Sequence, residues 1–503
     1  MSAPVATDHD TSASFIDRTR RTFTPTVIRT EVLAGLVVAL ALIPEAISFS
    51  IIAGVDPQVG LFASFTMAVT IAFVGGRRAM ISAATAAVAL VVAPLVASHG
   101  LQYLLAAIIL GGLIQVLLAA AGIARLMRFI PRSVMVGFVN SLAILIALAQ
   151  FPGLIDVPWM VYPMVAVGLA IIFLFPRLTT AIPSPLIAII VLTAITVIVA
   201  INVPNVGDEG KLPDSLPSLL IPDVPYTLET LKVIFPYALA MALVGLMESL
   251  MTAKLVDDIT DTHSDKTRET WGQGVANIVT GFFGGMGGCA MIGQTMINVK
   301  VSGARTRLST FLAGVFLLIL VVALGDIVSI IPMAALVAVM LFVAYSTFDW
   351  HSVKPSTLRR LPKTETFVMV VTVAVVVATH NLAIGVITGV VVAMVMFARR
   401  VAHMAEVVPV MDLTEEQTRI YKVNGELFFA SSNDLVFAFD YANDPANVVI
   451  DMSDAHIWDP STVAALDSIE TKYLSKGKSV TIVGMDRASE AMHRKHAGTS
   501  RDL

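Results

Sequence analysis

Charge is scarce in this sequence. Of its 503 residues, 33 are Lys or Arg and 37 are Asp or Glu, so 14% are charged, against about 25% in an ordinary soluble domain. Cysteine is scarcer still. Cys289 stands alone, which excludes a disulfide framework and a cysteine-rich zinc site. Basic residues are not in excess. A net charge of −4 and a pI near 6.1 leave no electrostatic footprint for nucleic acid. No P-loop, zinc motif or catalytic triad is visible, so neither an enzyme nor a cofactor is expected. Apolar surface, by contrast, is abundant. The apolar fraction is 56% and the mean hydropathy is +0.82. A soluble protein of this length cannot hide that much, because too large a share of any globule is surface. The expected fold class is a polytopic α-helical membrane protein.

The charge that exists is unevenly placed. About 25 charged side chains fall in the last 100 residues and about 45 in the remainder. An apolar body is therefore expected over 31–403 and a soluble tail over 411–503. Residues 1–30 form a polar N-terminal segment with no apolar core, which is not the pattern of a cleavable signal peptide. A spanning helix needs about 20 mostly apolar residues. Such blocks begin near Val32, Leu61, Ile81, Leu101, Ser133, Trp159, Ile182, Leu231, Trp271, Met291, Leu308, Val328, Phe367 and Ile384, about fourteen in all. Basic residues occupy alternate gaps. Arg18, Arg20, Arg21 and Arg29 precede the first block. Arg77 and Arg78 follow the second, and Arg125, Arg128 and Arg132 the fourth. Lys254, Lys266 and Arg268 follow the eighth, and Lys300, Arg305 and Arg307 the tenth. By the positive-inside rule both ends are expected in the cytoplasm, across a bacterial-type inner membrane.

Seven blocks precede the long acidic segment between Asn202 and Glu229, and seven follow it. An odd number per half forces the halves, about 31–201 and 231–403, into opposite orientations, as in inverted-repeat transporters. Each half carries a small-residue stretch at a matching place. The third block has Ile81-Ser82-Ala83-Ala84-Thr85-Ala86-Ala87, and the tenth has the glycine-rich run from Gly284 to Gln294. Helices starting near Thr85 and Ile292 would turn their N-terminal amides toward one another, forming an anion site without a cationic side chain. The same small residues also suit close helix packing. Two acids lie within spans, Glu45 after Pro44 in the first block and Glu248 in the eighth. Burial disfavours the charged carboxylate, so protonation on anion binding would couple the two movements. The alternative is a structural carboxyl bonded to a helix end or a serine. Asp257 and Asp258, nearer the cytoplasmic end, are expected to be solvated. For Gln294, orienting a substrate and bonding to backbone stay equally open.

These motifs resemble the SulP family of anion permeases, over nearly the whole chain. Leu42-Ile43-Pro44-Glu45-Ala46 is similar to the family's Pro-Gln-Ala element. Arg78 to Val88 is similar to its Ile-Ser-Gly-Pro-Thr-Ala-Ala element. Gly284 to Asn298 is similar to the bacterial form of its tenth-helix element. The resemblance implies a seven-plus-seven repeat with core and gate domains, alternating access, a homodimer and no catalytic activity. It also implies an anion site lined by Glu45, Phe49, Thr85, Ala86, Glu248, Ile292, Gly293 and Gln294. Three departures matter. Glu45 replaces a common glutamine, Ala83 and Ala84 replace glycine and proline, and Gly293 stands where animal relatives carry arginine. Less positive potential favours proton symport, with Glu45 and Glu248 as coupling groups. The substrate would be a small dicarboxylate such as fumarate, or bicarbonate or sulfate. Na⁺ coupling through Asp258 and Thr262, anion exchange and a channel are the rivals; a non-transporting scaffold has no use for costly buried acids.

The tail alternates strand and helix patterns, with strands expected at Arg419–Val423, Glu426–Phe429, Val448–Met452 and Val480–Val483 and a helix at Pro460–Lys472. It resembles the STAS domain that ends SulP chains, a unit open to a cytoplasmic partner. Related bacterial STAS proteins are phosphorylated at a serine near this helix start. Ser461 is the candidate, but Asp459 followed by Pro460 reads more simply as a helix cap.

Overall fold

A computed structural model describes residues 24–123, 125, 130–178, 183–402, 405–410 and 418–498. Arg18, Arg20, Arg21 and Arg128 lie outside the described residues, as does the start of the expected tail at residue 411. The chain forms two compact units, Met1–Gly389 and Val390–Leu503.

The first half of the body runs through α1 (Pro25–Ala53), α2 (Pro57–Val74), a short strand β1 (Ser82–Ala83), α3 (Ala86–Ala120), α4 (Arg132–Leu148), α5 (Val161–Leu174) and α6 (Ser184–Val199). The second half runs through α7 (Leu228–Thr260), α8 (Lys266–Phe282), β2 (Cys289–Ala290), α9 (Ile292–Met296), α10 (Arg307–Ala323), α11 (Gly325–Ser329), α12 (Met333–Thr347), α13 (Pro355–Arg360), α14 (Lys363–Thr379) and α15 (Leu382–Ala402). α3 is two helices meeting at Gly100, whose φ of 79° and ψ of −174° break the run. With α3 counted twice and the short α11 and α13 set aside, fourteen segments correspond to the fourteen apolar blocks. Four starts differ from expectation by five residues or more. The first helix begins at Pro25 rather than near Val32 and the ninth at Lys266 rather than near Trp271, because each carries polar turns ahead of its apolar block. The third helix begins at Ala86 rather than near Ile81, because the residues before it are extended. The twelfth begins at Met333 rather than near Val328, after the separate turn α11.

Two packing groups emerge within this unit. α3 packs on α7 and α8, α10 packs on α1 and α2, and α2 packs on α8. Separately, α4 packs on α14 and α12, and α5 packs on α12 and α6. Within the first group the backbones come very close. A Cβ on Gly112 would lie 2.5 Å from the Gly274 carbonyl oxygen, and one on Gly274 would lie 2.6 Å from that of Gly112. Only two glycines let α3 and α8 touch this way, the small-residue contact typical of helices in lipid. Large apolar side chains such as Leu33, Phe73, Leu117, Phe173, Ile198 and Ile319 stay exposed. Six helices in the described residues are long and apolar enough to cross a membrane, and four shorter ones are apolar.

The second unit holds a four-stranded sheet in the order β3 (Glu406–Val410), β4 (Thr418–Leu427), β5 (Asn447–Ile457) and β6 (Ser479–Val483). β3 pairs antiparallel with β4, and the other neighbours are parallel. Helices α16 (Ser432–Phe437), α17 (Pro460–Leu474) and α18 (Arg487–His496) complete it. Its core gathers Tyr421, Val423, Ile450, Met452, Leu466 and Tyr473, all buried. Three expectations need correction. The two strands read at Arg419–Val423 and Glu426–Phe429 are one strand, since Gly425 adopts its φ of 103° within the ladder. The strand read at Val448–Met452 runs on to Ile457, and the sheet starts before residue 411, at Glu406.

Candidate functional site

Two extended dipeptides organise the site. Ser82 pairs with Ala290 and Ala83 with Cys289 in an antiparallel ladder of two residues. Small side chains are essential here: a Cβ on Gly288 would sit 1.9 Å from the Ala83 carbonyl oxygen. From this crossing the chain enters two helices. Thr85 is extended (φ −133°, ψ 152°) and its hydroxyl accepts from Val88 N, capping α3. On the other side α9 starts at Ile292 and continues into a wider turn, Ile297–Val301. The first amides of each helix have no intrahelical partner.

Both helix starts open on one cavity of about 610 Å³. Glu45 and Phe49 from α1, Thr85 and Ala86, Glu248 from α7, and Ile292, Gly293 and Gln294 all line it. The structure therefore brings together all eight residues singled out in the sequence. The opposite wall comes from the other packing group, with Phe138 and Leu142 of α4 and Val339 and Phe342 of α12. Among the described residues lining the cavity are two carboxyls and no Lys, Arg or His.

Hydrogen bonds fix these groups. Cys289 Sγ donates to Glu248 Oε2 at 3.0 Å, and Thr85 Oγ1 lies 3.1 Å from the same sulfur. Ser249 Oγ accepts from Ala290 N at 3.0 Å. Glu248 is buried, whereas Glu45 is only partly so and faces the Gln294 side chain. Gln294 Oε1 is buried without a hydrogen-bond partner. Behind the crossing, Asn277 accepts from Gly288 N at 2.9 Å and donates to Gln115 Oε1 at 3.0 Å. α1 continues through Pro44 as one helix, and Ser48 Oγ donates to the Pro44 carbonyl.

The sequence reading missed Cys289, Gln115 and Asn277 as site residues. Gln115 and Asn277 were legible as lone amides in apolar or small-residue runs. Cys289 carried no signal beyond its place in the glycine run. Another expectation is overturned. Asp257 is not solvated: it bridges Arg77 at 3.0 Å and Lys266 at 2.6 Å, and its side chain is 16% exposed. Asp258 is exposed as expected. Thr262 Oγ1 accepts from Arg77 at 2.8 Å.

Residues 28–167 and 158–372 match the sulfate permease family, and residues 410–497 match the STAS domain. YbaR of Bacillus subtilis (strain 168), for which sulfate transport is proposed, is 55% identical over 470 residues, covering 93% of this chain and 97% of YbaR. The chain belongs to the sulfate permease family. A second relative, the bicarbonate transporter BicA of Picosynechococcus sp. (strain ATCC 27264 / PCC 7002 / PR-6), is 24% identical over 509 residues, 91% of this chain and 88% of BicA. Solved structures share the fold. The murine Solute Carrier 26 family member A9 anion transporter in the inward-facing state superposes with a TM-score of 0.80 at 17% identity, over 97% of this chain and 90% of that one. The transmembrane domain of a cyanobacterial BicA gives 0.63 at 23% identity, over 73% and 98%. The chain is thus an anion transporter rather than an enzyme. It is a multi-pass membrane protein of the seven-plus-seven inverted-repeat class with a cytoplasmic STAS domain.

Proposed function

We propose that this permease carries a small oxyanion together with protons, by alternating access. One observation carries the reading: a cavity walled by two helix N-termini and two carboxyls, with no cationic side chain among its described lining residues. Helix N-termini attract an anion. Two ionised carboxylates beside it would repel it strongly in a low-dielectric site. The conflict disappears when Glu45 and Glu248 take up protons as the anion arrives.

The amides at the start of α3 and α9 hold the oxyanion, with Thr85, Ala86, Ile292 and Gly293 forming the cradle. Gln294 and Phe49 orient it, and Glu45 and Glu248 carry the protons. The group built on α1, α3, α7 and α10 acts as the mobile core, and the α4, α5 and α12 group as the gate. Sulfate leads the candidate substrates, because the relative at 55% identity is named for it. Bicarbonate follows from the more distant BicA, and a small dicarboxylate from the pairing of two protonatable groups. Glu45→Gln tests the assignment. Uptake by this variant should become less dependent on a proton gradient, Glu248 remaining as the second proton carrier, while keeping anion selectivity. Unchanged proton dependence would remove Glu45 from the mechanism.

A further inference from the structure

A second cavity, of about 440 Å³, opens among the loops that follow α2, α7 and the turn after α9. Arg77, Arg78, His263, Arg268, Arg305 and Arg307 line it, together with one carboxylate, Asp265. Much of this positive charge has no counter-ion. Arg268 donates to the carbonyls of Val74 and Phe73, Arg305 to those of Val299 and Ala304, and Arg307 to that of Ala72. These partners are neutral. Arg78 and His263 have no hydrogen bond or ion pair with the described residues.

The carboxylates nearby are already engaged. Asp257 holds Arg77 and Lys266. Asp265 accepts from Arg268 N and so caps α8. Glu269 is buried, accepting from Gly76 N and Arg77 N. Glu31 is buried, accepting from Arg305 N, Thr306 N and Ser309 N. Arg77 adds an orphan donor. Its side chain is 9% exposed, yet its Nε is buried without a partner. Burial pushes the Arg77 guanidinium below its usual value, Asp257 opposes the shift, and Arg305 and Arg78 reinforce it. Cations crowded this way repel one another unless an anion sits among them.

We propose that this pocket is a second anion site, separate from the central cavity, that takes a phosphate-class oxyanion. Arginine forks match the tetrahedral oxygens of such a group. The phosphate arrives either on an anionic lipid headgroup or as free inorganic phosphate. Occupancy would tie the α2–β1 loop to the α7–α8 turn and to the start of α10. Asn298, whose amide donates to the Ala79 carbonyl at 2.8 Å, links that loop onward to the turn after α9.

The test compares the full chain with the double variant Arg78→Gln/His263→Gln. Both side chains are exposed and lack partners, so the variant should fold. Melting in detergent is followed with inorganic phosphate against gluconate at equal ionic strength. Phosphate at about ten times its Kd should raise the wild-type Tm by about 1–2 °C. The variant should show no rise, and Arg78→Lys should restore part of it. In parallel, uptake is measured in vesicles of phosphatidylcholine alone and of phosphatidylcholine mixed with phosphatidylglycerol. A rate raised severalfold by phosphatidylglycerol in wild type, but not in the double variant, assigns the lipid source. A phosphate-dependent Tm with equal rates in the two lipids assigns the free anion. Absence of both responses, or their persistence in the variant, overturns the proposal.

Discussion

Two glycines of one run should respond in opposite ways to a single added methyl group. Gly288 sits at the strand crossing. A Cβ there would lie 1.9 Å from Ala83 O and 2.6 Å from Ala83 C, where ordinary contact begins at 3.4 Å. Both offending atoms are backbone, so β1 and β2 must part. Their separation breaks what the crossing holds: the Asn277 pair with Gly288 at 2.9 and 3.1 Å, Ser249 to Ala290 N, and Cys289 to Glu248. Overpacking costs about 1–3 kcal/mol, and each lost buried hydrogen bond about 1 kcal/mol. Gly288→Ala should therefore cost about 5–7 kcal/mol. Gly293 has no heavy atom within 4 Å of the same construction. Gly293→Ala should be neutral or stabilise α9 by up to about 1 kcal/mol, the helix-propensity difference. Thermal melting of the purified variants in detergent, followed by tryptophan fluorescence, reads both. Equal stability of Gly288→Ala and wild type, or equal damage from the two substitutions, would refute this account of the crossing.

Other consequences follow from the same geometry. Cys289→Ala removes the donor to Glu248 and the neighbour of Thr85; uptake should fall, and Cys289→Ser should restore it, measured as initial rates in proteoliposomes. In the STAS unit, Asp459 Oδ1 accepts from Thr462 N at 3.2 Å and Oδ2 from Phe429 N at 2.7 Å. Asp459→Ala should cost about 1 kcal/mol, the typical value of an N-cap, read by hydrogen exchange in α17. Ser461 is exposed at the start of that helix while Asp459 caps it. Ser461→Asp should then leave transport unchanged, and an altered rate would favour a regulatory role.

Most of the architecture was legible because lipid imposes simple arithmetic. Span length, basic residues in alternate gaps and an odd number of blocks per half each follow from physics that acts on local sequence. The residues that line the central cavity were legible for a different reason. Glu45 and Glu248 are expensive in a span, and the glycine run cannot propagate a helix. What escaped was long-range pairing. Nothing local tells Asp257 that Arg77, 180 positions away, will reach it. Cys289 reads as a small apolar residue until β1 brings Thr85 beside it. The strand boundaries in the tail failed where Gly425 looked like a break but serves the ladder. Alternation in a short window cannot distinguish those cases.

The central claim is that protonation of the two cavity carboxyls accompanies the anion. Uptake of labelled sulfate, bicarbonate, fumarate and succinate into proteoliposomes, with and without an inward proton gradient, tests it most directly. The account predicts that the gradient drives accumulation of at least one of these anions above its outside concentration. Uptake of every transported anion at the same rate and to the same level with and without the gradient would contradict it.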